Sequence, residues 1–273
     1  MFGINERVFD PLKLRQTQEM DLELNNKNVV ITGGTKGIGL SIAQGFLDEG
    51  ANVHIISRSP GKALVSKQTK QYPGKGFFYQ CDVTDEQSLS ACYSEILTNS
   101  NNTIDILVSN VGSGKSPLLP INEKRDWELC WNTNFTSSLN AARVFSGSLV
   151  KSKGTMIFIS SIAGLEFIGA PTEYSIAKAA LISFSKTLSH RLAPDVRVNV
   201  VAPGNIFVEE GTWGNKMQEN PEKVALMLNE KVPLKRFGLP EEVSDLVLFL
   251  SSSRAAFITG GCFVIDGGQT ISF

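Results

Sequence analysis

The segment Asn28-Val29-Val30-Ile31-Thr32-Gly33-Gly34-Thr35-Lys36-Gly37-Ile38-Gly39 constrains this chain more than any other. Its β-branched opening reads as a short strand, its glycines break that strand, and an apolar period from Ile38 to Glu49 reads as a helix. A strand that enters a helix through a glycine turn is the first half of a βαβ unit, and such units build parallel sheets. Glycine also lets the backbone turn sharply and approach a pyrophosphate, whose charge then sits at the helix N-terminus. The spacing is G-x-x-x-G-x-G at Gly33, Gly37 and Gly39, not the common G-x-G-x-x-G. Alone, it fits an ordinary βα connection better than a cofactor-binding turn.

The remainder of the chain keeps the alternation. Strand candidates are Asn28–Thr32, Asn52–Ser57, Gly76–Cys81, Ile104–Ser109, Thr155–Ser160, Arg197–Val201 and Cys262–Ile265, with helical patterns between them. Seven such strands imply an α/β fold: a doubly wound parallel sheet with helices on both faces. Ligands of such sheets bind beyond the carboxyl ends of the strands, where Asp82, Asn110, Ser161 and Pro203 fall.

A second constellation carries chemistry. Tyr174 and Lys178 are four residues apart, so on a helix they share a face. A phenol with an ordinary pKa of about 10 is a poor base at neutral pH, and a fixed ammonium beside it favours the phenolate. Ser161 lies thirteen residues upstream. Singly, these residues read as a solvated surface pair and a strand-end turn residue.

In this order and spacing the motifs resemble the short-chain dehydrogenase/reductase family, single-domain NAD(P)-dependent oxidoreductases with a Rossmann fold, from about Asp21 to the C-terminus. The match includes the glycine turn, Asp82-Val83, Asn110-Val111-Gly112, Asn134, Ser161, Tyr174/Lys178, Arg197 to Gly204 and Asp266-Gly267-Gly268. The resemblance implies a catalytic set of Asn134, Ser161, Tyr174 and Lys178. Tyr174 is then general acid in reduction and general base in oxidation, and Ser161 holds the substrate oxygen. Lys178 lowers the tyrosine pKa and binds the nicotinamide ribose, and Asn134 positions a water that relays protons to Lys178. The implied cofactor residues are Gly33, Thr35, Lys36, Gly37, Ile38, Gly39, Ser57, Arg58, Asp82, Val83, Asn110, Gly112, Tyr174, Lys178, Pro203, Gly204 and Ile206. At the end of the second strand, Ser57 and Arg58 stand where an acidic residue would select NAD(H). A serine does not repel a 2′-phosphate and an arginine pairs with it, so NADP(H) is expected over NAD(H), with Lys36 as a second cation. Val208 stands where the family often has a threonine that binds the carboxamide, which leaves Ile206 to offer backbone hydrogen bonds and Thr212 as a substitute hydroxyl. A second class of function, an NADP(H)-binding regulatory or redox-sensing protein without turnover, uses the same residues and is separated from an enzyme by Tyr174-dependent activity.

Composition narrows the partners. A 273-residue chain with 42% hydrophobic and 19% charged residues suits one globular domain, and a net charge of −1 gives no polyanion-binding surface. No nucleic acid partner is expected. Neither a membrane span nor a secretion signal is visible, so a cytoplasmic location without membrane association is expected. Cys81, Cys92, Cys130 and Cys262 are scattered, and with His54 and His190 they form no metal-ligand spacing, so no metal is expected. Glu209-Glu210 and Glu241-Glu242 read as solvated charges.

Residues 1–19 form an N-terminal extension before a single domain of residues 20–273. The stretch from Asn205 to Pro221 reads as an irregular, mobile lid, hinged on Gly204, Gly211 and Gly214 and closing with Phe207, Trp213 and Met217. Together with Ser113-Gly114-Lys115-Ser116 it should line the site of a small carbonyl or alcohol substrate, a polar compound such as a sugar derivative or a 3-oxoacyl thioester. A homo-oligomer, tetramer or dimer, is expected from the resemblance and from apolar Phe145, Leu181 and Phe184 on the long helices.

Overall fold

A computed structural model describes residues 20–61 and 72–272 of the chain. Its strands are β1 (Asn28–Thr32), β2 (Asn52–Ser57), β3 (Lys75–Gln80), β4 (Ile106–Ser109), β5 (Thr155–Ile159), β6 (Arg197–Pro203) and β7 (Cys262–Ile265). All neighbours pair in parallel, in the order β3-β2-β1-β4-β5-β6-β7. The order reverses between β1 and β4, and the crevice beyond their carboxyl ends is where such sheets take ligands.

The helices among the described residues are α1 (Gly37–Asp48), α2 (Glu86–Asn99), α3 (Lys124–Trp131), α4 (Ser137–Ser152), α5 (Thr172–Leu192), α6 (Thr212–Glu219), α7 (Pro221–Lys231) and α8 (Pro240–Ser251). Strand residues alternate between two cores, as a two-residue period demands. Val29, Ile31, Val53, Ile55, Ile157 and Val201 pack on one face against Ile42 and Phe46 of α1 and Val243 and Val247 of α8. Val30, Ile56, Met156, Phe158 and Val200 pack on the other against Leu89 and Ile96 of α2, Phe145 and Leu149 of α4 and Leu181 of α5. Two of the three apolar residues expected at a subunit interface are therefore core: Phe145 and Leu181 are fully buried within the chain. They carry no argument for a partner. The extension, residues 1–19, lies outside the described residues.

The segment from 205 to 221 is more ordered than its composition suggests. An isolated parallel bridge, Ile206 to Gly238, follows β6, and α6 occupies Thr212–Glu219. Two of the glycines at this segment, Gly214 and Gly204, sit where no side chain fits. A Cβ on Gly214 would lie 1.8 Å from the Glu209 carbonyl oxygen, and one on Gly204 would lie 2.6 Å from Asp266 Cβ. Glu242, read from sequence as a solvated charge, instead accepts from Arg236 at 2.8 and 2.6 Å and from the Leu239 N–H at 2.8 Å, so it caps α8. These bonds hold its carboxyl low, at about 2.

Candidate active site

The glycine turn after β1 forms one wall of the crevice. Gly33 and Gly37 have φ of +71° and +53°, the left-handed region that favours glycine. A Cβ on Gly39 would meet the Gly33 carbonyl oxygen at 2.3 Å and Asn110 Nδ2 at 2.4 Å. The Asn110 amide donates to the carbonyls of Thr32 and Gly33, at 3.3 and 3.1 Å, and so binds the end of β4 to the turn. Lys36, at the N-cap of α1, is exposed and makes no side-chain cap. Among the described residues the first N–H groups of α1 therefore have no side-chain partner, which is the donor set a phosphate needs. Ile38 packs partly buried on the core beneath.

Thr35 and Ser57 share a hydroxyl–hydroxyl contact of 3.2 Å, which brings the turn to the end of β2. Arg58 follows, exposed. Asp82 accepts from the Thr84 N–H at 3.0 Å and the Thr84 hydroxyl at 2.8 Å. Burial pushes the Asp82 carboxyl up, but these bonds and the charge of Arg58 outweigh it and hold the group below its ordinary value. Val83 is buried in the core. The crevice thus gathers a concave glycine turn, uncapped helix donors and two hydroxyls, with the exposed Arg58 beside them, which suits a dinucleotide. Pro203 ends β6, Gly204 follows, and the bridge to Gly238 uses the Asn205 carbonyl and the Phe207 N–H, not the backbone groups of Ile206. The methyl carbons of Val208 lie 3.4 Å from where a Cβ on Gly37 would be, so Val208 packs over the glycine turn.

The opposite wall is made of side chains withdrawn from water. Ser161 caps a short 3-10 turn after β5, accepting from the Ala163 N–H at 3.1 Å. Tyr174 and Lys178 lie on the first turns of α5, with Lys178 Nζ 5.8 Å from the centre of the Tyr174 ring. Lys178 is 3% exposed, and its Nζ donates to the Ile159 carbonyl at 3.0 Å. Gly112 covers it, since a Cβ there would meet Lys178 Nζ at 2.9 Å and Asn134 Oδ1 at 3.0 Å. The structure thus brings Asn134, Ser161, Tyr174 and Lys178 to one end of the sheet.

Their electrostatics differ from expectation in one respect. Burial pushes the Tyr174 phenol above its ordinary value, and the nearby Ser161 side chain opposes this only in part. Burial also lowers the lysine, to about 8. At neutral pH the pair is thus a neutral phenol beside an ammonium, which is the protonation state of an acid catalyst.

Asn134 sits in a π-helical turn, Asn132–Thr136, between α3 and α4. Its Oδ1 accepts from the Ser113 N–H at 2.9 Å, and its Nδ2 donates to the carbonyls of Ser113 and Cys130, both at 3.0 Å. The side chain is thereby taken up in fixing the loop after β4. Sequence reasoning missed Asn122 and Glu173 beside this loop and Phe237, which packs on Phe207 and Trp213 at ring distances of 5.6 and 5.3 Å. Only the adjacency of Glu173 to Tyr174 could have drawn notice. Among the described residues there is no cluster of His, Cys, Asp and Glu that could hold a metal ion, and no helix is long and apolar enough to cross a membrane.

A family model described as enoyl-(acyl carrier protein) reductase matches residues 33–270. The chain is 36% identical over 250 residues to 3-oxoacyl-[acyl-carrier-protein] reductase FabG of Chlamydia trachomatis, covering 90% of this chain and 98% of that one. Its fold superposes on L-sorbose reductase of Gluconobacter frateurii, solved with NADPH and L-sorbose, with a TM-score of 0.86 at 28% identity, covering 93% and 100% of the two chains. A short-chain type dehydrogenase/reductase from Mycobacterium marinum gives 0.82 at 29%, covering 92% and 98%. The chain belongs to the short-chain dehydrogenase/reductase family and is an NAD(P)-dependent oxidoreductase.

Proposed function

We propose that this member of the short-chain dehydrogenase/reductase family is an NADP(H)-dependent reductase of 3-oxoacyl thioesters. The observation that carries the reaction type is the meeting of a half-buried, protonated Tyr174 with Ser161 and the Lys178 ammonium at the crevice. Ser57 and Arg58 support the 2′-phosphate, because the end of β2 presents a hydroxyl and a cation where a carboxylate would repel it. Exposed apolar side chains beside the site, Leu118, Leu119 and Ile121 after β4 and Phe167 after β5, suit an acyl chain. The similarity to the chlamydial reductase supports the same class.

A bound nicotinamide supplies the hydride in reduction and accepts it in oxidation. Gly33, Thr35, Lys36, Gly37, Ile38 and Gly39 would hold the pyrophosphate, Asp82 and Val83 the adenine end, and Asn110, Gly112, Pro203, Gly204 and Ile206 the floor and nicotinamide end. Ser161 donates to the substrate carbonyl oxygen and stabilises the charge that develops there. Tyr174 gives its phenolic proton to that oxygen. A phenol held above its ordinary pKa carries that proton at neutral pH. Lys178 places its charge against the phenolate that results.

A sugar-derived carbonyl is the second reading, favoured by Ser113, Lys115 and Ser116 on the same loop and by the likeness to L-sorbose reductase. A panel of 3-oxoacyl thioesters and ketoses, followed by NADPH absorbance, decides between them. Turnover of ketoses alone overturns the acyl assignment, and no Tyr174-dependent turnover of any carbonyl overturns the enzyme reading.

A further inference from the structure

Glu173 is a buried carboxylate for which the chemistry above has no use. It is 1% exposed, stands immediately before Tyr174 in the first turn of α5, and meets no lysine or arginine within ion-pair distance among the described residues. Its Oε1 accepts a short 2.6 Å hydrogen bond from Nδ2 of Asn122, which is 5% exposed. The same Asn122 nitrogen donates to the Pro117 carbonyl at 2.8 Å, across the loop between β4 and α3. Thr172, one residue before Glu173, donates from its hydroxyl to the Pro120 carbonyl at 3.3 Å. The first turn of α5 therefore grips this loop at two points.

The far end of the loop is gripped by the catalytic set, since Asn134 holds both the N–H and the carbonyl of Ser113. Between these anchors lie Gly114, where an added Cβ would sit 3.9 Å from the Tyr174 ring, and the exposed Leu118, Leu119 and Ile121. A carboxylate taken out of water is kept only where something compensates it. Here the compensation is one charge-assisted hydrogen bond and a place near a helix N-terminus, where negative charge is favoured. Even so, Glu173 Oε2 and Asn122 Oδ1 are buried without partners. A costly group at this position makes sense as a strut that sets the loop against Tyr174.

We propose that the Glu173–Asn122 pair is a positioning device that seats the 113–122 loop on the turn bearing Tyr174 and thereby sets how firmly the site holds its carbonyl substrate. This rests on the oxidoreductase reading. It differs from a general packing role in one chemical detail. A glutamine at 173 keeps an oxygen for Asn122 Nδ2 and adds an N–H₂ that Asn122 Oδ1 can accept from, so Glu173→Gln should preserve the strut, whereas Glu173→Ala and Asn122→Ala each remove it.

The test compares these three variants with the wild-type chain by hydrogen exchange of residues 113–122, by NADPH titration, and by steady-state kinetics on a carbonyl substrate. A hydrogen bond to a charged group carries enough free energy that its loss should raise KM about tenfold or more, with kcat changed less than about threefold. Exchange over 113–122 should quicken in Glu173→Ala and Asn122→Ala, NADPH affinity should stay put, and Glu173→Gln should stay near wild type on every readout. Unchanged exchange in both alanine variants overturns the strut. Faster exchange without a rise in KM overturns its role in substrate binding, and equal damage in Glu173→Gln and Glu173→Ala overturns the hydrogen-bond basis. If one alanine variant fails to fold, the other breaks the same bond from the opposite side. Absence of turnover in the wild type would instead overturn the oxidoreductase reading, and exchange would then decide the strut by itself.

Discussion

On the β1–β2 side of the crevice the chain offers backbone: a glycine turn, the uncapped N–H groups of α1, and the amide of Asn110 bracing the turn from β4. On the β4–β5–α5 side it offers side chains taken out of water, with Lys178 and Asn134 beneath Gly112 and burial displacing the pKa values of Tyr174 and Lys178. A backbone wall recognises what every member of a cofactor class shares, and it tolerates no added atoms. A wall of buried polar side chains holds protonation states, and it responds to pH and to single-atom deletions. The two walls should therefore fail differently when altered.

The largest expected effect is on the side-chain wall. Tyr174→Phe keeps the ring and removes the transferable proton, so turnover should fall by about 10²–10⁴-fold while NADPH binding stays within about twofold. Stopped-flow or steady-state absorbance together with a nucleotide titration checks both halves. Loss of NADPH binding in this variant would break the separation of the walls.

The backbone wall should show the converse. Gly39→Ala puts a Cβ 2.3 Å from a carbonyl oxygen that cannot step aside without moving the turn, so NADPH affinity should fall by about 10²-fold or the variant should lose stability. Equilibrium dialysis and a melting curve distinguish those routes, and wild-type affinity at wild-type stability would show that the turn is pliable. A smaller, more selective effect is expected of Arg58→Ala. Removing one exposed cation from a phosphate should weaken NADPH about tenfold at low salt, with less effect at high salt and none on NADH. Equal losses for both nucleotides would take Arg58 away from the 2′-phosphate.

The walls also differ in how far they could be read in advance. The glycine turn and its strands were legible because their signals are local: β1, β2 and β7 have the bounds read from sequence, each an apolar run closed by polar or glycine residues. Strand β6 runs on to Pro203, because a proline at the end of a strand need donate nothing to the ladder and still pairs in register with Ile265. The order of Ser161, Tyr174 and Lys178 was equally legible, but their titration was not. Which of two neighbouring charges dominates depends on burial, and burial belongs to the tertiary fold. Glu173 makes the point sharply, since a glutamate in the first turn of a helix ordinarily faces water and here is enclosed. The helix within 205–221 was not legible for a related reason: its glycines suggested freedom, yet Gly214 is required by the close approach of Glu209.

The smallest predicted effect tests whether the Lys178 ammonium is strained by its surroundings. Burial lowers its pKa from an ordinary 10.5 to about 8, with its Nζ held by the Ile159 carbonyl. Between those values the unfolded chain binds more protons at this site than the folded chain does, so the lysine's contribution to stability rises with pH across that window. The cost of its buried charge is fully present below about 8 and is relieved as pH approaches 10.5. Tyr174 acts in the opposite sense only from its ordinary value of about 10 upward, so measurements kept below about pH 9.5 isolate the lysine. Denaturant unfolding of the wild type and Lys178→Met at pH 7 and pH 9.5 should show the wild type gaining about 1–2 kcal/mol relative to the variant as pH rises. A gap that stays constant would mean that the ammonium titrates as it does in water. The side-chain wall would then be wetter than the backbone wall, and the contrast between them would narrow to steric tolerance alone.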